Sequence, residues 1–366
     1  MKEESSMRFL IITYDEYINI PYIKKYEECI AGAGNEYDVL IWNRRCNIEK
    51  HSQNHFVFHL VTKRSKISKI IPFLKWRRFV LAHLSNMNYD RVIVLTTIPA
   101  VLISDLLFRK FKKNYFLDIR DYTYEEFFLY RRLVNELVAQ SALTSISSKA
   151  FLQFLKMHAN IIITHNLSNE DAVENHCQLS VLEQKPLVIG FVGGIRYYNE
   201  NIKLLEQLRN SKRFVLKYVG KVHPGCDLRS FCNTHKISNA VFFPEYDNDQ
   251  KSNIYSSIDI INAVYGSRSP EVRLALPNKL YDCVLFKKPI MVSKGTYLAE
   301  VVNKYHLGLS IDVEGDNVGY CLNQYLKNFD KASFEKGCKE FLMLVQKEDA
   351  LSKQQIYQFC RGEDRI

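Results

Sequence analysis

The sequence predicts an α/β protein built from two doubly wound parallel sheets, one after the other along the chain. Three observations carry this. Short apolar runs rich in Val, Ile, Leu and Phe alternate with longer helical stretches, the pattern of strands buried on both faces. The alternation stops in a polar stretch from Asn166 to Lys185 and then starts again. A chain of 366 residues is long for one core and natural for two.

In the first half, the predicted strands are Arg8–Thr13, Tyr37–Trp42, Phe56–Val61, Arg91–Thr96, Tyr115–Ile119 and Ile161–Thr164. Helical patterning covers Tyr22–Ala33, a long basic stretch behind the third strand, Pro99–Phe111, and one long region from Tyr124 to Met157. In the second half, Leu187–Val192, Phe214–Val219, Ala240–Phe243, Ile258–Ala263 and Ile290–Val292 are predicted strands with helices between them. The tail Ser333–Cys360 is helical. The predicted domains are residues 1–170, residues 186–332, and terminal helices over 333–366.

Composition narrows the class. Apolar residues make up 47% and aromatics 13%, which suits a folded core and excludes a disordered chain. The nine cysteines show no CxxC pair, and the closest two, Cys226 and Cys232, have no His at zinc-ligand spacing. Reduced thiols, a cytoplasmic setting and no metal site are expected. The charged, polar Met1–Ser6 segment is not a signal peptide. The apolar Val92–Phe108 run contains Pro99 and Asp105 and divides into a strand and a helix, so no membrane span is expected.

The net charge of +10 is unevenly placed. No acid occurs from His51 to Tyr89, whereas Lys63, Arg64, Lys66, Lys69, Lys75, Arg77 and Arg78 interleave with Ile70, Ile71, Phe73, Leu74 and Trp76. A second basic cluster spans Arg109 to Lys113. Bases mixed with large apolar residues suit an anionic bilayer surface. The expectation is peripheral contact with the inner face of the cell membrane through Lys63–Arg78, with Trp76 and Phe73 inserting and Pro72 breaking the helix. Nucleic acid is the competing anion and is not expected as a partner. The plain alternative is a helix with one core face and one solvated face.

Three segments carry candidate chemistry. Leu276–Ser293 reads as a loop, a helix, a basic turn and a buried strand. A helix N-terminus attracts anions, and a carboxylate one or two turns in, here Asp282, can hold a ribose diol. Leu280, Val284 and Leu285 would form the buried face of that helix in any case. Val188–Tyr197 reads as a strand and loop, where Gly193 and Gly194 permit close backbone approach and Arg196 can bind phosphate bidentately. There is no G-x-G-x-x-G fingerprint. Arg273 and Lys279 are further cations beside the anion site. Asp247-Asn248-Asp249 has D-x-D spacing, but it follows Pro244 in a turn-like context and reads as a helix cap. In the first domain, Phe116–Tyr122 ends a strand with Asp118, Arg120 and Asp121. These can form a buried ion network that shapes a site or a plain structural salt bridge. His165 closes the last strand of that domain.

The run Pro277-Asn278-Lys279-Leu280-Tyr281-Asp282 resembles the P-N-K-L-[YF]-E signature of retaining GT-B glycosyltransferases, especially the family 4-like enzymes of bacterial capsule and surface-polysaccharide assembly. The resemblance implies two Rossmann-like domains facing across a cleft. It implies a nucleotide-sugar donor held by Gly193, Gly194, Arg196, Arg273, Asn278, Lys279 and Asp282, with Asp282 on the ribose. Gly193–Arg196 is similar to the family's G-x-[IL]-[RS] element, and Asp118–Asp121 to a D-x-R-D element. Three departures stand out. Asn201 stands where a second diphosphate-binding Lys is usual, with Lys203 the nearest. Leu274 stands where the first acid of E-x7-E belongs, leaving Glu271 as a substitute. Arg120 stands where many relatives place a His. The candidate catalytic residues are therefore Arg120, Asp121, His165 and Glu271. The implied activity is metal-independent, retaining transfer to a lipid-linked saccharide, with no cofactor beyond the donor. A nucleotide-sugar epimerase and a non-catalytic binding subunit are the alternatives.

Overall fold

The computed structural model describes residues 6–45, 51–61, 70–166 and 186–363. The chain divides into two compact units, residues 1–165 with 347–366, and residues 166–346.

The first unit contains β1 (Arg8–Ile12), α1 (Ile23–Gly32), β2 (Glu36–Asn43), β3 (His55–His59), α2 (Ile70–Asn86), β4 (Arg91–Leu95), α3 (Thr97–Leu102), α4 (Ser104–Arg109), β5 (Tyr115–Ile119), α5 (Phe128–Gln140), β6 (Leu143–Ile146) and β7 (Ile161–Ile163). Among the described residues the strands form one parallel sheet in the order β3-β2-β1-β4-β5-β6-β7. Every residue of β4, β5 and β6 is buried, as expected for strands covered on both faces.

Two helical expectations need correction. Tyr124–Met157 is not one helical region, because α5 ends at Gln140 and β6 follows directly. Leu-Thr-Ser-Ile is short and half hydroxylic, so it carries no strand signal. Its polar groups are satisfied by specific partners: Ser145 Oγ donates to the distant Asp118, and Thr144 Oγ1 lies 2.8 Å from the nearby Ser141 Oγ. Pro99–Phe111 is likewise two helices, broken at Ile103, whose backbone leaves the helical region at φ −117° and ψ 20°.

The basic stretch also differs from expectation. Lys63–Lys69 lies outside the described residues. In α2, Trp76 is fully buried and stacks on Trp42, with ring centres 6.1 Å apart. Phe73 meets the same Trp42 edge-on, and Arg77 pairs with Asp105 at 2.8 Å. Trp76 is therefore not available to a bilayer, and Phe73 and Arg77 are only partly exposed. Pro72 lies in the first turn of the described helix, where its missing N–H costs little, and α2 continues through it. Ile70, Ile71, Leu74, Lys75 and Arg78 are the exposed residues of this part of α2. Among the described residues, no helix is long and apolar enough to cross a membrane.

The second unit contains β8 (Leu187–Val192), α6 (Tyr198–Gln207), β9 (Phe214–Val219), α7 (Leu228–Thr234), β10 (Ala240–Phe243), α8 (Lys251–Ser256), β11 (Ile260–Ala263), α9 (Pro270–Leu274), α10 (Asn278–Phe286), β12 (Ile290–Ser293), α11 (Tyr297–Lys304), β13 (Gly308–Ile311) and α12 (Val318–Lys327). Its sheet is also parallel, in the order β10-β9-β8-β11-β12-β13. β13 escaped the sequence reading because Gly-Leu-Ser-Ile looks like a turn. Its glycine is required by packing, since a Cβ at Gly308 would lie 1.8 Å from the Ile290 carbonyl oxygen.

The last helix, α13 (Lys331–Cys360), contributes to both cores. Phe334, Cys338, Phe341 and Val345 pack in the second unit, and Ile356, Phe359 and Cys360 in the first. In sheets of this order, ligands bind beyond the carboxyl ends of the strands where the winding direction reverses. Those points are β1/β4 in the first unit and β8/β11 in the second.

Candidate functional site

In the second unit, the chain leaves β8 through Gly193 at φ +104°. The loop after β9 lies directly against it, since a Cβ at Gly220 would sit 2.2 Å from the Gly193 carbonyl oxygen. Tyr197, in the left-handed region at φ 62°, then starts α6. Asn201, only 1% exposed, fixes this turn by donating to the carbonyls of Arg196 at 2.8 Å and Tyr197 at 3.0 Å. Asn201 therefore holds the loop backbone from the position of the expected lysine. Lys203 is turned to an ion pair with Glu314. The Arg196 side chain is exposed beyond the strand end.

Lys279 is the most perturbed cation in this region. It sits in the first turn of α10 and is 8% exposed. Its Nζ donates to Tyr265 Oη at 3.0 Å and lies 3.8 Å from the centre of the Phe191 ring. Burial lowers its pKa to about 7, with Asp282 opposing the shift and the like charge of Arg196 adding to it. An anion arriving here would restore the charged form. Pro277 precedes α10 and supplies no side-chain cap, which suits a first turn whose N–H groups face an anion.

Asp282 already has strong partners within the unit. Its carboxylate accepts from Tyr255 Oη at 2.7 Å and pairs with Lys251 at 2.8 Å, and it is 6% exposed. Glu271 and Arg273 occupy exposed positions on the short α9, whose start is capped by Ser269 Oγ accepting from Val272 N. Asn278 is exposed at the start of α10. Asp247 immediately precedes a 3-10 turn, Asn248–Gln250, that runs directly into α8, and its carbonyl accepts from Gln250 N at 3.0 Å, so it stands at the start of the helical run. Among the described residues, no group of three or more His, Cys, Asp or Glu side chains is placed to hold a metal.

In the first unit, Arg120 turns inward. Its Nε donates to Asp118 at 2.8 Å, its Nη2 to Tyr26 Oη at 3.2 Å, and its guanidinium lies 4.3 Å from the centre of the Tyr22 ring. Asp118 is fully buried and also accepts from Tyr26 Oη at 2.7 Å. Asp121 is exposed, and its charge helps raise the pKa of Tyr14 and Tyr22. His165 Nε2 lies 2.8 Å from Glu348 on α13, and Lys149 pairs with the same carboxylate. Glu125, fully buried just after β5, accepts from Thr97 Oγ1 and from Thr123, and burial raises its pKa.

No family model and no curated protein matches the sequence. Solved structures match it along nearly its whole length. A sucrose-phosphate synthase from Thermosynechococcus elongatus aligns at TM-score 0.69 and 13% identity, over 96% of this chain and 98% of that one. WaaG, a glycosyltransferase of lipopolysaccharide biosynthesis, aligns at 0.61 and 13%, over 97% and 100%. Anabaena HepE, solved with UDP-glucose, aligns at 0.63 and 15%, over 97% and 100%. The fold is GT-B. Identities this low speak for the fold alone.

On this GT-B scaffold, the structure gathers Gly193, Gly194, Arg196 and Lys279 at the strand ends of the second sheet. It adds Tyr265, Tyr197 and Asn201, which no motif marked. The Tyr197 and Tyr265 rings stack at 4.5 Å, forming an aromatic backing to the two cations. Lys251, the partner of Asp282, lies in a different helix and has no spacing signal. Glu125, six residues past the end of β5, carried no local signal.

Proposed function

We propose that the protein is a glycosyltransferase that moves a sugar from a nucleoside-diphosphate sugar to a saccharide hydroxyl. The observation that carries this is the pair Arg196 and Lys279 at the carboxyl edge of a GT-B sheet. Lys279 is buried, lacks a full counter-charge and stands beside a second cation and an uncapped helix start. That combination favours a multiply charged anion such as a diphosphate. The departing diphosphate carries more charge in the transition state than in the bound donor, so the same groups promote bond breaking. In the transfer, the bond from the anomeric carbon to the diphosphate oxygen breaks and the acceptor oxygen takes its place. The hydroxyl proton passes to the departing phosphate. Retention of configuration and independence from metal ions belong to this reading, with Arg196 and Lys279 supplying the charge a metal would otherwise supply.

The acceptor on this reading is a lipid-linked saccharide at an anionic membrane surface. Its support is the exposed Ile70, Ile71 and Leu74 beside Lys75 and Arg78 on α2. Each base near such a surface contributes about 1 kcal/mol, which salt screens, whereas apolar insertion persists in salt. Vesicle co-sedimentation with Lys75→Glu/Arg78→Glu and with Ile71→Ser/Leu74→Ser checks this. Equal, poor pelleting of wild type and both variants would make the acceptor a soluble one.

A binding subunit without turnover is the second reading, favoured by the engagement of Asp282 with Lys251 and Tyr255. A thermal-shift screen with UDP, GDP, dTDP and CMP identifies the donor base. Release of free nucleoside diphosphate upon acceptor addition, unaffected by EDTA, then separates enzyme from binder. No shift with any nucleotide would overturn both.

A further inference from the structure

The first unit carries a pocket of about 760 Å³ at the edge of the sheet opposite the strand carboxyl ends. Arg91, Asn114, Leu143 and Asn160 reach it from the amino-terminal ends of β4, β5, β6 and β7, and Gln355 and Gln358 from the last turns of α13. Strands of five residues separate the two edges by about 16 Å, so the pocket is distinct from the sites discussed above. Its volume lies within the range of about 300–1,000 Å³ usual for small-molecule sites.

The charged groups of this pocket are engaged in bracing its walls. Lys113 Nζ donates to the carbonyls of Ala139 at 2.8 Å and Ser141 at 3.2 Å, and Asn160 Nδ2 donates to the Val138 carbonyl at 2.8 Å, which together fix the α5–β6 corner. Arg91 donates to the Phe359 carbonyl at 3.0 Å and lies 4.8 Å over the Phe359 ring, which fixes the end of α13. Glu363 pairs with Arg361 at 3.2 Å. The side chains of Asn114, His158 and Gln358 also line the pocket, and they make no hydrogen bond to another described residue. The groups left for recognition are thus two amides and an imidazole, each able to donate and accept, on rigid walls.

We propose that this pocket is a second saccharide-binding site, for a neutral glycan segment held away from the transfer chemistry. Amides and imidazole match the paired donor and acceptor character of sugar hydroxyls. Lys113 and Arg91 aim the donors named above at wall carbonyls, whereas the side chains left without a described protein partner are two amides and an imidazole. Carbonyl bonds do not cancel a cation's charge, so the anionic comparators below decide between the two ligand classes. A role in tethering the acceptor rests on the glycosyltransferase reading, whereas binding itself does not.

The test is titration of the full chain with maltotriose and chitotriose, with glucose 6-phosphate and inorganic phosphate as anionic comparators, read by calorimetry and by methyl NMR. At least one trisaccharide is expected to bind with millimolar affinity. Asn114→Ala and Gln358→Ala should each weaken it about tenfold or more, the cost of a lost hydrogen bond in a small site. Both side chains are half-buried, and an unaltered melting temperature in each shows that the fold is retained. UDP affinity should be unchanged in both variants, which keeps this result separate from the donor site. Absence of trisaccharide binding, equal binding by the variants, or tighter binding of the anions would each overturn the proposal.

Discussion

The two sheets share one winding order, yet they treat an arginine at a strand end in opposite ways. After β5, Arg120 folds back onto the buried Asp118 and is itself 7% exposed. After β8, Arg196 is exposed and Lys279 nearby is buried without a full counter-charge. The first arrangement is neutral within itself and holds loops in place. The second has an excess of positive charge and is completed only by an anion. A cation at a strand end is therefore evidence of a ligand only when its partner is missing from the fold.

The largest expected effect breaks the neutral side of this comparison. Asp118→Ala removes the buried carboxylate that pairs with Arg120 and should destabilise the protein by about 3–5 kcal/mol in denaturant unfolding. Asp282→Ala should follow the same rule, because Lys251 loses the Asp282 carboxylate, at a cost of about 2–4 kcal/mol. A change below about 0.5 kcal/mol in that variant would mean that the Asp282–Lys251 pair is not formed and that the carboxylate is available to a ribose.

On the charged side, Arg196→Ala should weaken nucleoside-diphosphate binding by about 1.5–3 kcal/mol, or roughly ten- to a hundredfold, while leaving the ligand-free melting temperature unchanged. Lys279→Met should also weaken binding, but it should stabilise the ligand-free protein near pH 6–7. The folded pKa of about 7 lies below the ordinary lysine value of 10.5, so the unfolded chain holds more protons between those values. The penalty of a buried charge is thus complete below pH 7, shrinks as pH rises, and is gone above about 10.5. Wild-type stability should rise across that window relative to Lys279→Met. Calorimetry in buffers of different ionisation enthalpy should show proton uptake when UDP binds near pH 8. Parallel stability curves for the two proteins would exclude a depressed Lys279.

The smallest effect concerns His165. Glu348 has a lowered pKa: burial raises it, but the bonds from His165 and Lys149 outweigh this. The stability contributed by this carboxylate is present above the unfolded value of 4.5 and is lost as pH falls through the lower folded value. Glu348→Gln should therefore reduce stability at pH 7 by about 1 kcal/mol, with less difference from wild type at pH 3.

The fold was legible because parallel strands buried on both faces are written as continuous apolar runs, which β4, β5 and β8 show plainly. β6 and β13 were not legible because their polar or small residues answer to partners far away in sequence, Asp118 for Ser145 and the Ile290 carbonyl for Gly308. At the site, Gly193–Arg196 and Lys279 could be read from local spacing. The engagement of Asp282 by Lys251 and Tyr255, of His165 by Glu348 and of Asn201 by the loop carbonyls could not, since each depends on which helices pack together.

The last turns of α13 complete the first core: Ile356 and Phe359 are buried there, Lys25 pairs with Asp349, and Asn35 Nδ2 donates to the Cys360 carbonyl. On a ribosome, the first unit is thus the first to be made and the last to be finished. Residues 1–165 emerge without the segment that closes them and must wait until the intervening unit has been synthesised and has begun to fold. A released chain truncated at residue 346 should present a protease-resistant second unit and a cleavable first one, the reverse of the order in which they were translated.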